Sequence, residues 1–437
     1  MILIEGCRVV VTMDDAGTEL ENASVLIDGG VIAWVGQGRP PVREQPDVID
    51  GRGLVALPGL VNTHHHLYQT LTRVRAQEGG LFDWLRELYP VWATIDADWE
   101  RTAAEVGLAE LALSGCSTTT DHHYVFPSGV TGLLETEIEV AGQLGLRFHP
   151  CRGSMDLGES SGGLPPDRVV EEIDTILAAT DEAIQRFHDP AAGSMLRIAV
   201  GPCSPFSVSQ RLMRESAALA RRRNVRLHTH IAETLDEASY CKSTFNRRPL
   251  ELLDDLGFLG PDVWLAHCVY VDDADMKRMA ATRTAAAWCP TSNMRLGSGF
   301  APAREMLDAG VQVGLAVDGS ASNDSGNLLA EARQAMLTTR ARKGAASMTA
   351  RQALRLATRG GAACLGRDDV GSLEVGKRAD IALFATDGLA YRGAEADLVA
   401  ALVFCNPGPV QHLFVEGKPV VHDGHLVNLS EATMIWA

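Results

Sequence analysis

Four separate stretches of this chain each end an apolar run on a group that binds metal ions or moves protons. The first is Pro58-Gly59-Leu60-Val61-Asn62-Thr63-His64-His65-His66. The others are His228-Thr229-His230-Ile231-Ala232-Glu233, Leu265-Ala266-His267 and Ala316-Val317-Asp318-Gly319. Polar groups on the tips of different strands meet only if those tips share one face. That condition is met at the C-terminal face of a parallel α/β barrel.

The rest of the middle of the chain agrees. Candidate strands at Leu60–His66, Ser117–His123, Leu146–Gly153, Leu196–Cys203, Val225–Glu233, Val263–Val269, Ala285–Cys289 and Val311–Asp318 alternate with helical patterns such as Asp98–Leu113, Asp167–Phe187, Pro249–Leu256 and Asp324–Arg340. Pro249 suits the first turn of its helix. Thr349 followed by Gln352 reads as a capping box. The expected fold is α/β, a (β/α)8 TIM-type barrel over residues 58–368, with a doubly wound open sheet as the alternative. Both ends are β-rich instead. Cys7–Thr12, Ser24–Ile27 and Val31–Val35 lie at one end; Ala379–Phe384, Ala400–Phe404, Pro409–Val415 and Lys418–Val421 lie at the other. Neither end alone has enough strands for a stable sheet. Residues 1–57 and 369–437 are therefore expected to pair into one small β-sandwich.

Composition narrows the function. The chain has 437 residues, 46% of them hydrophobic, and a formal net charge of −17. Nucleic-acid binding and docking on an anionic membrane both need clustered Lys and Arg, which this balance disfavours. The nine cysteines are scattered and form no C-x-x-C pair, which suits a reducing cytosol. The first residues lack a basic segment and a cleavage site, so no signal peptide is expected and the expected location is cytoplasmic.

His64 and His66 sit two apart on a strand, so both rings point to one side and reach one ion. His65 faces the other way and reads as structural or supporting. His228 and His230 repeat the spacing. His230 is the expected ligand, and His228 is either functional or a barrel histidine satisfied by its surroundings. Asp318 ends a strand with no other charge, where an unpaired carboxylate is costly to bury. His64, His66, His230 and Asp318 together would hold one divalent ion and leave room for water. The ion lowers the pKa of that water. Asp318 can take the water's proton, Glu233 can protonate a ring nitrogen, and His267 can hydrogen-bond the developing oxygen. This is the chemistry that expels ammonia from an amino-heterocycle.

The order Pro-Gly-x4-His-x-His, His-x-x-Glu, His, Asp resembles the amidohydrolase superfamily. So does Gly371-Ser372-Leu373-Glu374-Val375-Gly376-Lys377-Arg378-Ala379-Asp380, which is similar to the segment returning those enzymes to their β-sandwich. Binuclear members carry a carboxylated lysine on the fourth barrel strand. Here that strand ends Val200-Gly201-Pro202-Cys203-Ser204-Pro205. The resemblance thus implies one metal ion, zinc with iron as the alternative, in the aminohydrolase branch that deaminates purines, pyrimidines and triazines. It also implies a homo-oligomer acting on a small heterocycle.

The stretch Leu81–Trp92 resembles the first-loop segment of nucleoside and S-adenosylhomocysteine deaminases, which carry a glutamate after the proline to hold the ribose hydroxyls. Here Trp92 stands instead, which suits a flat base. Asn62–Gln69, Ser117–Tyr124 and Gly158–Pro166 resemble the 8-oxoguanine deaminases and imply conversion of 8-oxoguanine to uric acid and ammonia. Gln69, Trp92 and Tyr124 are the candidates for gripping the base. Arg152 would serve a carbonyl oxygen or pair with an acid at the barrel mouth. The loop Glu159–Pro166 is either a lid or an idle surface loop. A triazine aminohydrolase of the hydroxyatrazine type, a guanine or isocytosine deaminase, and a non-catalytic scaffold stay open as alternatives.

Overall fold

The computed structural model describes residues 1–405 and 408–429. Its centre is a set of parallel strands: Leu60–Asn62, Cys116–Thr119 continued by His122–His123, Arg147–Phe148 continued by Cys151–Ser154, Ala199–Pro202, Leu227–Ile231, Val263–His267, Ala285–Trp288 and Val313–Leu315. Each pairs in parallel with its sequence neighbour, from Leu60–Asn62 round to Val313–Leu315. The last strand returns to the first. Thr63 N and Oγ1 both donate to the Leu315 carbonyl, at 3.1 and 2.9 Å, and Asp318 N donates to the His64 carbonyl at 3.2 Å. The sheet thus curls into a TIM-type barrel, and the closing bonds lie beside the ligand residues.

Helices follow the strands outside the barrel. Ala97–Leu113 starts at Asp96, whose side chain accepts from Trp99 N. Pro249 opens Pro249–Asp255, and Thr349 and Gln352 form the reciprocal cap of Ala350–Arg355. Two expected helices are shorter at their starts. Asp167–Phe187 is a 3₁₀ turn at Asp167–Val169, then a helix over Ile173–Phe187. Asp324–Arg340 starts only at Leu328, where Asn327 caps it.

Both chain ends join one sheet, nine-stranded among the described residues. Val31–Gln37, Glu19–Asp28, Ile2–Val11 and Leu54–Pro58 lead to Ile381–Ala385, His412–Val415, Lys418–His422 and His425–Leu426, while Asp47–Asp50 runs beside Ile2–Glu5. The seam between the ends is antiparallel, from Leu54 opposite Ala385 to Pro58 opposite Ile381. One expected strand is wrong. Ala400–Phe404 lies within a helix, Leu398–Phe404, which Asp397 caps through Ala400 N. Its all-apolar sequence carries no period to tell a strand from a buried helix, and the cap decides. The expected extension of the terminal unit to residue 437 runs beyond the described residues.

Arg147, buried at the start of its barrel strand, locks the sheet to the barrel. Its guanidinium donates to both oxygens of Asp380, at 3.0 and 2.8 Å, and to Glu416 at 2.7 Å. Such a pair is costly to break from one side.

Candidate active site

At the C-terminal ends of the strands the proton positions of the histidines follow from their neighbours. A carbonyl oxygen only accepts, so a ring nitrogen beside one carries the proton. His66 Nδ1 lies 2.8 Å from the His122 carbonyl, and His230 Nδ1 lies 2.7 Å from that of Cys203. Each Nε2 is therefore a lone pair, and the two stand 3.0 Å apart. His228 Nδ1 donates to the Trp264 carbonyl at 2.7 Å, so His228 Nε2 accepts from His64 Nδ1 at 2.8 Å. That leaves His64 Nε2 as a buried lone pair with no hydrogen-bond partner. Asp318 Oδ1 lies 3.3 Å from His64 Nε2 and 3.4 Å from His66 Nε2.

Burial keeps these rings neutral. It drives His64 well below the usual histidine range, lowers His230, and takes His66 down to about 3. For Asp318 burial works upward, but the surrounding histidines, His64 first, hold the carboxyl well below its ordinary value. Three neutral imidazoles and a carboxylate, all aimed at one point, repel one another unless a cation sits between them. This donor set fits a single divalent ion, and the carbonyls behind the rings fix each ligand's orientation.

His122 joins the same cluster, and the sequence reading did not nominate it. Its Nε2 donates to the Gly201 carbonyl at 2.8 Å, its Nδ1 has no partner, and its ring stacks on His230 at 4.8 Å. Gly201 gives it room: a Cβ there would lie 2.8 Å from His122 Nε2. The signal was available, because His122 ends the second strand as His64 and His66 end the first. His65 turns away, with Nδ1 3.8 Å from Asp121 Oδ1.

Glu233 and His267 face the same cavity. Ser298 Oγ donates to Glu233 Oε1 at 3.1 Å, and Glu233 Oε2 lies 3.5 Å from His267 Nε2. Burial, with the charge of Asp318, raises the Glu233 carboxyl well above its usual range, so it holds a proton. The Asn293 amide donates to His267 Nδ1 at 3.0 Å, which leaves Nε2–H directed at the site. The backbone here is strained. Ala232, His267, Cys268 and Asp318 all have positive φ, at 53°, 73°, 50° and 66°. The Glu237 carboxylate holds the first of these turns, accepting from Ala232 N at 2.7 Å and Glu233 N at 2.8 Å.

The cavity beside these groups has about 400 Å³ of empty space, continuous with solvent. Gln69 and Tyr124 line it, as nominated; Gln69 Oε1 is buried without a partner. Trp92 does not. It is fully buried one helical turn beyond Tyr89, its Nε1 donates to Thr72 Oγ1 at 3.1 Å, and its ring packs on Tyr68, Trp84 and Tyr89. The aromatic faces come instead from Trp84, Tyr89, Tyr124 and Phe206. Arg152 is also not among the lining residues. It makes two 2.8 Å bonds to Glu171 and lies 3.9 Å over the Phe126 ring. The reason is strand parity: Arg152 is in register with His123, one residue past His122, and so sits on the face away from the cluster. The loop at Glu159–Pro166 does not line the cavity either; Ser160 N and Oγ both donate to Asp167 and pin it.

Comparison with known proteins agrees with this geometry. Residues 55–420 match the amidohydrolase family, and the chain belongs to it. It is a hydrolase of carbon–nitrogen bonds other than peptide bonds. The chain is 45% identical to the 8-oxoguanine deaminase of Pseudomonas aeruginosa, covering 96% of this chain and 94% of that one. It is 39% identical to the hydroxydechloroatrazine ethylaminohydrolase of Pseudomonas sp. strain ADP, covering 98% and 92%. Among solved structures it superposes with a TM-score of 0.95 on the atrazine chlorohydrolase TrzN of Arthrobacter aurescens complexed with zinc, at 37% identity and covering 100% and 98%.

Proposed function

We propose that this protein is a zinc-dependent deaminase of a free oxidised purine base, converting 8-oxoguanine and water to uric acid and ammonia. The observation that carries the reading is the lining of the cavity. Among the described residues, its only carboxyl groups are Glu233 and Asp318, both engaged at the metal cluster, so none is spare for a ribose diol. Away from the histidines, the walls are mostly aromatic and apolar, with Gln69, Ser204 and Ser322 as neutral polar groups, and suit a flat ring. The likeness to the 8-oxoguanine deaminase supports the same choice.

His64, His66, His230 and Asp318 would hold a divalent ion, which when bound would acidify a water. Asp318 would accept a proton from the attacking water. Protonated Glu233 delivers its proton to the ring nitrogen next to the attacked carbon. His267 donates Nε2–H to the oxygen that gains charge. Asp318 passes the water's proton to the amine, which leaves as ammonia as the C–N bond breaks, and the hydroxyl on the attacked carbon returns a proton to Glu233 as its C=O forms. Gln69 and Tyr124 orient the base. Residues 58–368 form the catalytic barrel, and the terminal segments form a small β-sandwich. The reading extends to a cytoplasmic homo-oligomer.

The triazine reading rests on the hydroxydechloroatrazine ethylaminohydrolase and the TrzN structure. Ammonia release by the zinc-loaded enzyme from 8-oxoguanine, guanine, isocytosine and adenosine, measured beside alkylamine release from hydroxyatrazine, separates the two. A kcat/KM for 8-oxoguanine well above the others is expected. Activity confined to another member of the panel overturns the substrate assignment and keeps the metal chemistry.

A further inference from the structure

Behind the catalytic cluster, on the far side of the second barrel strand, lies another group of titratable side chains that the reaction does not use. Glu100 comes from the helix Ala97–Leu113, Glu137 from the helix Leu133–Leu144, and His123 from the end of the strand. All three are fully buried.

His123 sets the argument. Its Nε2 donates to the Val125 carbonyl at 2.8 Å, so Nδ1 is a lone pair in the neutral ring. That lone pair faces Glu137 Oε1 at 2.6 Å and Glu100 Oε2 at 3.7 Å. One proton shared between Glu137 and His123 satisfies that 2.6 Å contact but leaves the other oxygens of the group facing one another with nothing positive between them. A separate observation points to the same gap. Both oxygens of Glu100, Oε2 of Glu137 and Oδ2 of the adjacent Asp121 are buried with no hydrogen-bond partner. Among the described residues no Lys or Arg pairs with any of these carboxyl groups; the Arg beside Glu100, Arg101, pairs outward with Glu139. A carboxylate with neither partner nor cation is expensive to bury.

The geometry points to a second cation site at Glu100, His123 and Glu137, taking a divalent transition-metal ion of the zinc or manganese type. His123 Nδ1 stands 2.6 Å from Glu137 Oε1 and 3.7 Å from Glu100 Oε2, both inside the span of about 4.4 Å that opposite ligands reach on one ion with bonds of about 2.2 Å. Two carboxylates match its charge. The imidazole suits zinc and argues against calcium or magnesium, which prefer oxygen alone, while the two carboxylates suit manganese. The ion is structural. Among the described residues, none of its three donors lines the substrate cavity, and it ties two helices to the strand that carries His122. Next to it, Asp121 Oδ1 accepts from Leu67 N at 2.7 Å, immediately after the catalytic ligand His66. Strand parity separates the two sites: His122 faces the catalytic cluster and His123 this one.

The test is anomalous difference density from crystals of the zinc-loaded enzyme, with metal content measured in parallel. A peak among the Glu100, Glu137 and His123 donors is expected, together with one zinc per chain that survives in the His64→Ala/His66→Ala variant and is lost in Glu100→Gln. If Glu100→Gln does not fold, the double variant and the crystal carry the test. No peak there, with a peak at the catalytic histidines, overturns the proposal. So does a zinc that persists in folded Glu100→Gln/His64→Ala/His66→Ala. A peak at Glu100 with none at the catalytic histidines would instead remove the catalytic metal reading and leave this one standing.

Discussion

The Nε2 atoms of His66 and His230 face each other at 3.0 Å, and each ring's other nitrogen is already committed to a backbone carbonyl. Neither ring can donate to the other while both are neutral. Removing one ligand therefore removes the reason for the ion to stay: His66→Ala is expected to lose bound metal and activity together, as measured by metal analysis and ammonia release. His228 acts one step back, through the proton it places on His64. His228→Phe is expected to keep the fold and to weaken metal affinity by about 10–100-fold, the range seen when a ligand's hydrogen-bond partner is removed.

Glu233 ligates nothing in the proposed site, yet holds the proton the leaving group needs. Glu233→Gln is expected to retain its full complement of metal and to lower kcat by about 10²–10⁴-fold, the usual weight of a general acid–base group. Near-full activity in that variant would assign the proton to another residue.

Gly319 lies against the candidate base-binding amide. A Cβ there would stand 1.9 Å from Gln69 Oε1. Its φ is ordinary, so Gly319→Ala strains no backbone and instead pushes the Gln69 side chain aside. The expected result is a raised KM with metal content unchanged, and Gln69→Ala should reproduce it.

Trp92 and Arg152 make the opposite prediction. Trp92→Ala is expected to cost about 3–5 kcal/mol of stability, as for a large buried aromatic. Arg152→Ala frees Glu171 and is expected to lower the melting temperature. Neither should change KM, measured on the folded fraction.

His65 gives a pH signature. Burial takes its pKa down to about 4, against 6.5 in an unfolded chain. Between those values the unfolded state binds a proton that the folded state does not, so stability falls as the pH drops from about 6.5 towards 4. Denaturant midpoints across that range should fall with acidity, and less steeply in His65→Gln if that variant folds.

The metal and proton-moving residues were legible because strand periodicity is simple. Two histidines two apart point the same way, and polar groups ending several strands meet at one barrel mouth. The same rule, carried to Thr120-Asp121-His122-His123, finds His122; without an x-His spacing, the stretch enters the sequence reading only through its resemblance and Tyr124. It would also have shown Arg152 turned away from His122's side. Trp92 failed for a different reason. The helix Leu81–Trp92 presents one inward stripe, and sequence does not mark where along that stripe the cavity stops. Leu398–Phe404 failed because a short, wholly apolar run carries no period, and only the Asp397 cap distinguishes helix from strand.

The antiparallel seam of Leu54–Pro58 with Ile381–Ala385 joins segments more than three hundred residues apart. During synthesis the early strands leave the ribosome long before their partner exists, and Leu54–Pro58 leads directly into the strand that carries His64 and His66. The first two catalytic histidines are thus made early, while the element that fixes the strand before them is among the last. Pairing over so long a separation is slow. A chain cut short before residue 381 would leave an unpaired apolar strand edge open to aggregation.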